Sequence, residues 1–257
     1  MATDSVPGTQ PVHDPKRARR AVLGSATGVT IEWYDFFLFG NTAAIVFAPL
    51  FFPGTDPIAS QIGAFVAFAL GFIFRPIGAV IFGQLGDRLG RRRTLIITLL
   101  VMGIATFAIG LLPPVASVGI LAPIALAVLR AFQGIAAGGE WAAASTMAVE
   151  SAPPEKRARY ASYIQLGSPL GTLLSSGAVA AALLLPHEDF MAWGWRLPYL
   201  GSALLIAIAL WLRLRMEESP EFEARRQLGA DVGRKSPILQ VFKEVPGRLL
   251  LGIGAYL

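Results

Sequence analysis

The 257-residue chain contains no cysteine, and only two histidines: His13 in a polar amino-terminal stretch and His187 in a short turn. The first absence excludes disulfide frameworks, thiolate metal sites and cysteine nucleophiles. With so few histidines there is no base beside a buried serine and no His-Glu-x-x-His pair to hold a catalytic metal. The expectation is therefore no enzyme, no metal and no cofactor. Charge is scarce as well. Asp, Glu, Lys and Arg make up 15% of the residues, against about 25% in an ordinary soluble domain. Apolar residues reach 54% and the mean hydropathy is positive, which places the chain in a lipid bilayer.

Six apolar stretches, 21–50, 58–82, 94–112, 118–149, 161–185 and 197–214, are long enough to be membrane-spanning helices, since a hydrocarbon core of about 30 Å takes roughly 20 helical residues. Pro49, Pro53-Gly54, Pro57, Pro113-Pro114, Pro153-Pro154 and Pro186 punctuate them. Lys and Arg fall on alternate sides: four before Ala21, four in 84–93, three in 151–160 and eight after Leu212, with none in 51–57, 113–117 or 186–194. This asymmetry puts the amino terminus in the cytoplasm of a multi-pass plasma (inner) membrane protein. Trp193 and Trp195 then belong at the outer interface, with Arg196 snorkelling beside them. The net charge of +5 clusters next to apolar spans, so the expected partner is lipid headgroups rather than nucleic acid. Residues 1–20 read as a disordered cytoplasmic tail without a secretory signal, 21–214 as the bundle, 215–248 as a cytoplasmic linker and 249–257 as the start of a seventh helix.

Inside the spans lie five ionisable side chains, Glu32, Asp35, Arg75, Arg130 and Glu140. Ionised groups at that depth turn toward partners or a watery cavity. The expected pairs are Asp35 with Arg130, and Arg75 with Glu32 or Glu140, which leaves one of three acids without a cation. An entering carboxylate that took an arginine from its acid would couple its own uptake to that of a proton. Tyr34, Gln133, Gln165, Ser168 and Thr172 are neutral candidates for lining the cavity. Gly24 with Gly28, Gly63-Ala67-Gly71, and Gly134 with Gly138-Gly139 form seams for close helix packing. Pro76-Ile77-Gly78 and Pro169-Leu170-Gly171 stand at the offset expected if three helices repeat inverted.

Between the second and third spans comes Gly83 to Arg93, GQLGDRLGRRR, with four arginines, one aspartate and three glycines. Its Gly83, Gly86, Asp87, Arg88, Gly90 and Arg91 spacing resembles the signature loop of the major facilitator superfamily. Further stretches are similar to that superfamily's metabolite:proton symporters: 31–37, 75–78, 130–134 leading to 138–141, 150–153, 193–198 and 218–222. The resemblance implies half of a major facilitator fold, an all-α integral membrane bundle of six helices in two inverted three-helix repeats. It further implies proton-coupled symport, by alternating access, of a small carboxylated metabolite. The family carries α-ketoglutarate, citrate, shikimate, proline or betaine. Proton coupling then falls to Asp35, Glu32, Arg130 and Glu140, substrate binding to Arg75, Tyr34, Gln133 and Gln165, and a cytoplasmic gate to the loop's Asp87 and Arg88. Gly167-Ser168-Pro169 resembles an antiporter motif in part, which keeps exchange open. A half-length, non-transporting protein, or one that needs a partner half, is the other alternative.

Overall fold

In the computed structural model, which describes residues 15–54 and 56–227, every regular element is helical. Helix α1 (Pro15–Thr42) continues through a π-helical turn, Ala43–Phe47, to Phe51. The carboxylate of Asp56 accepts from the Ile58 N–H at 3.0 Å and so opens α2 (Pro57–Ile73). There follow α3 (Arg75–Leu89), α4 (Arg91–Leu111), α5 (Leu121–Ser151), α6 (Arg157–Gln165), α7 (Gly167–Ala182), α8 (Arg196–Leu214) and α9 (Pro220–Gln227). Five stretches are long and apolar enough to cross a membrane: Lys16–Phe51, Pro57–Leu89, Arg91–Leu111, Leu121–Ser151 and Arg196–Leu214. The sixth expected span is present in two pieces, α6 of 9 residues and α7 of 16, separated at Leu166.

That break has a counterpart at Phe74, between α2 and α3. A proline stands just inside each following helix, Pro76 and Pro169. Lacking an N–H, it cannot continue the hydrogen-bond ladder, and the axis shifts. Two residues beyond each proline a glycine lets backbones touch. A Cβ on Gly78 would strike the Ile135 carbonyl of α5, and one on Gly171 the Thr30 carbonyl of α1. Thus α3 lies on α5 as α7 lies on α1, while α1 also packs on α5 and α4 packs on α5 and α8. Exchanging the first three spans for the last three turns one seam into the other, which is what two inverted three-helix repeats require.

Several boundaries differ from expectation. The amino-terminal stretch is helical from Pro15, so 15–20 extends the first span rather than forming a disordered tail. The basic loop is helical nearly throughout and turns only at Gly90, whose φ of 98° favours glycine. The linker contains α9; residues 228–248 and the expected seventh-helix start at 249–257 lie outside the described residues. Trp195 is fully buried among Phe47, Phe51 and Tyr199 instead of facing lipid, and only Trp193 is exposed. Outward faces of the bundle are apolar, with Ile58, Ile62, Val66, Ile73 and Leu173 all more than half exposed, as suits acyl chains for a solvent.

Candidate functional site

A small hollow, with room for little more than a water molecule, opens among α1, α2, α3, α4 and α5. It is lined by Glu32, Asp35, Phe36, Gly71, Arg75, Met102, Arg130, Gln133, Gly134 and Ala137. Glu32 and Asp35, three residues apart, reach it from one face of α1. Arg75 pairs with Glu32 at 3.1 Å, one of the two partners expected for it. Each arginine is also held by aromatic rings: Arg75 lies 5.2 Å from the Phe72 centroid and 5.9 Å from that of Phe36. Arg130 lies 4.6 Å from Phe39 and 5.0 Å from Phe68. Such cation–π contacts strengthen when water is excluded. Gly71 leaves room for the Arg130 guanidinium, which a Cβ there would meet at 2.8 Å.

The expected direct pairing of Asp35 with Arg130 does not form. Two neutral side chains stand between them. Arg130 Nη1 donates to Gln133 Oε1 at 3.0 Å, Gln133 Nε2 donates to Thr106 Oγ1 at 2.8 Å, and Thr106 Oγ1 donates to Asp35 Oδ2 at 2.5 Å. The other carboxylate oxygen, Oδ1, is buried and has no hydrogen-bond partner among the described residues, as is true of Glu32 Oε2. Glu140 departs from expectation too. It pairs not with Arg75 but with Arg213, which the sequence groups with the basic residues at the end of the sixth span. Arg213 is 0% exposed and Glu140 1%, so this ion pair is out of water altogether. Arg213 also donates to the carbonyls of Leu95 and Gly24, while Thr98 Oγ1 donates to Glu140 Oε2 at 2.5 Å. Gly28 turns out to make room for a side chain as much as for a helix, since a Cβ on it would fall on the Arg213 guanidinium. The interior set is therefore three buried acids with two buried arginines, Arg130 and Arg213, and the partly exposed Arg75, and Asp35 is the acid that has no ion pair.

Tyr34 and Gln165, expected at the substrate, are not among the residues lining the hollow. The Tyr34 hydroxyl donates to the Pro198 carbonyl at 2.6 Å and ties α1 to α8, while Gln165 is exposed at the end of α6. Thr172 spends its hydroxyl on the Ser168 carbonyl within α7.

At the arginine-rich end, Arg91 pairs with Asp87 at 2.9 Å and lies 3.9 Å from Glu150. Both carboxylate oxygens of Glu218 accept from the Arg92 N–H, at 3.1 and 3.3 Å, a negative charge placed at the N-terminus of α4. The Arg92 guanidinium in turn donates to the last carbonyls of α8, to Arg213 at 3.3 Å and Leu214 at 2.7 Å. Arg17 pairs with Glu217 at 3.4 Å and Glu223 at 2.7 Å, and Arg157 with Glu221 at 3.2 Å. The acidic segment after α8 thus straps together the start of α1, the Gly90 turn and the start of α6. Gly83 faces open space, and the exposed Arg88 lines a recess with Arg92, Arg93 and Phe222.

Thr98, Thr106, Arg213 and the phenylalanines of α1 and α2 were not singled out by sequence. Thr98 and Thr106 stand eight apart, two turns on one face of an otherwise apolar span, which is a readable signal. Arg213 sits at a span's end, where an arginine ordinarily reaches for headgroups.

An all-helical bundle with apolar outer faces, inverted repeats and ionised side chains around an interior hollow defines a multi-pass membrane protein. The chain belongs to the Major Facilitator Superfamily, which it matches over residues 33–256. It is 48% identical over 235 residues to the shikimate transporter of Escherichia coli, covering 91% of this chain and 54% of that one. It is 45% identical over 227 residues to the inner membrane metabolite transport protein YhjE of the same organism, covering 86% and 52%. The fold is that of the E. coli proton:xylose symporter XylE, with a TM-score of 0.72 at 18% identity over 92% of this chain and 56% of that one. The chain spans about half the length of these relatives.

Proposed function

We propose that this chain forms the amino-terminal six spans of an inner-membrane carrier that moves a small carboxylated metabolite together with protons by alternating access. Both its amino terminus and α9 lie in the cytoplasm in this reading. The observation that carries it is the hollow itself, where Arg75 and Arg130 stand beside two carboxylates that each keep one oxygen without a hydrogen-bond partner. Two guanidiniums can hold a substrate carboxylate; Asp35, without an ion pair, can take and release the proton. The relatives' names support a carrier, and shikimate is the first substrate to try because the relative of that name shares 48% identity. With room for little more than a water molecule, the hollow is far smaller than a usual ligand pocket, which occupies about 300–1,000 Å³. It is accordingly one wall of the site, and transport is assigned to the native-length protein.

A zwitterion such as proline or betaine is a second reading, favoured by the partnerless oxygens of Asp35 and Glu32, which suit a cationic group. The Asp87, Arg91 and Glu218 cluster around Gly83, Gly86, Arg88 and Gly90 serves in this proposal as the cytoplasmic gate. The test is uptake of labelled shikimate, proline and betaine into vesicles with and without an imposed proton gradient. Asp35→Asn should abolish gradient-driven accumulation while leaving exchange of labelled for unlabelled substrate. Normal gradient-driven uptake by that variant would remove Asp35 from the coupling.

A further inference from the structure

We propose that Thr106 is a positioning residue whose hydroxyl turns between two acceptors, so that an event at Arg130 reaches the Asp35 carboxyl through Gln133. This rests on the coupling role of Asp35 proposed above. Thr106 Oγ1 has three polar neighbours: Asp35 Oδ2 at 2.5 Å, the Met102 carbonyl at 2.9 Å and Gln133 Nε2 at 2.8 Å. The orientation of Gln133 is fixed by charge. Its oxygen accepts from Arg130, so its amide nitrogen must donate to Thr106. That donation occupies one lone pair of the hydroxyl oxygen, leaving one proton to give and one lone pair to fill.

The hydroxyl has a single proton for two acceptors. With Asp35 ionised, the proton points at Oδ2, where 2.5 Å suits a charge-assisted bond. With Asp35 protonated, the carboxyl O–H fills the second lone pair and the hydroxyl turns to the Met102 carbonyl, one helical turn back on α4. Both arrangements satisfy the Thr106 hydroxyl, the Gln133 amide and Asp35 Oδ2, so Thr106 accommodates either state of its neighbour without moving a backbone atom. A substrate carboxylate drawn to Arg130 competes with Gln133 Oε1 for the guanidinium. Once released, the Gln133 amide is free to turn over and accept from Thr106, which withdraws the hydroxyl proton from Asp35. The charged groups facing Asp35 are Glu32 on its own helix, Arg75 on α3 and Arg130 on α5, and none of them lies within ion-pair distance of it.

Thr98 supplies the contrast. It too has a carboxylate and its own helix carbonyl to choose between, Glu140 Oε2 at 2.5 Å and Leu95 at 3.1 Å. There Arg213 holds both the carboxylate and the Leu95 carbonyl. The same device is clamped at one position on α4 and left free to turn two helical turns away.

The experiment uses the native-length protein in lipid. Infrared difference spectra across a pH change identify the protonated Asp35 carboxyl as the C=O band missing from Asp35→Asn. In Thr106→Val that band should move to higher wavenumber, because its hydrogen-bond partner is gone, and Thr106→Ser should return it. Gradient-driven uptake of labelled shikimate should fall roughly tenfold or more in Thr106→Val, the size expected for a lost hydrogen bond to a charged group. Shikimate exchange should survive, and Thr106→Ser should restore uptake. An unmoved band in Thr106→Val, failure of Thr106→Ser to restore it, or parallel loss of uptake and exchange would each overturn the relay. Normal accumulation by Asp35→Asn would instead overturn the coupling role, and the infrared band would still decide whether Thr106 holds the carboxyl.

Discussion

Arg213 and Glu140 set the energetic stakes among individual residues. Removing water from both charges is costly, and the structure repays that cost only by giving them each other, the Thr98 hydroxyl and two carbonyls. Arg213→Leu strands Glu140 and should destabilise the protein by about 3 kcal/mol or more, read as earlier thermal unfolding in detergent. Adding Glu140→Gln to it should recover part of the loss, because an amide is far cheaper to bury than a lone carboxylate. Which arginine serves which acid was the least legible part of the site. Sequence supplies the inventory and the depth of Glu32, Asp35, Arg75 and Arg130. Partner choice, however, depends on reach across helices, and Gly28 is what admits Arg213.

Among the elements, proline and glycine spacing proved more informative than hydropathy. The matched Pro-x-Gly triplets mark both the breaks at Phe74 and Leu166 and the two seams where backbones touch. Gly78→Ala and Gly171→Ala should both lower folded yield on size-exclusion chromatography, because the obstacle in each case is a neighbouring carbonyl that has nowhere to go. Gly177→Ala in α7 makes the opposite test. Its Cβ would meet nothing within 4 Å, and the change should stabilise by about 0.5–1 kcal/mol through helix propensity alone. Glu218→Ala removes the charge from the start of α4, and amide exchange at Arg92 should speed up roughly fivefold, as for a lost cap of about 1 kcal/mol. Helix ends were harder to place than helices. Glycine and arginine in Gly83–Arg93 read as a loop, yet the chain is helical on both sides of Gly90, where Arg91 pairs back to Asp87 and Glu218 caps the start of α4.

On the scale of the whole molecule, the distribution of Lys and Arg along the sequence predicts a cytoplasmic amino terminus, and the absence of cysteine makes that orientation easy to check. Arg19→Cys and Glu188→Cys place single thiols at exposed positions on opposite ends of the bundle. An impermeant maleimide should label Glu188→Cys in intact cells and Arg19→Cys only after permeabilisation. The reverse pattern would invert the orientation. Arg213 also has a mechanical consequence. Its carbonyl is gripped from the rim by Arg92, and its side chain grips Glu140 in the interior. One residue is therefore both the outer and inner end of a lever, and displacement of the Gly90 turn must pull on the fourth span. Arg92→Ala and Glu140→Gln should consequently fail to add in a double-mutant cycle of stability, although neither side chain need touch the other.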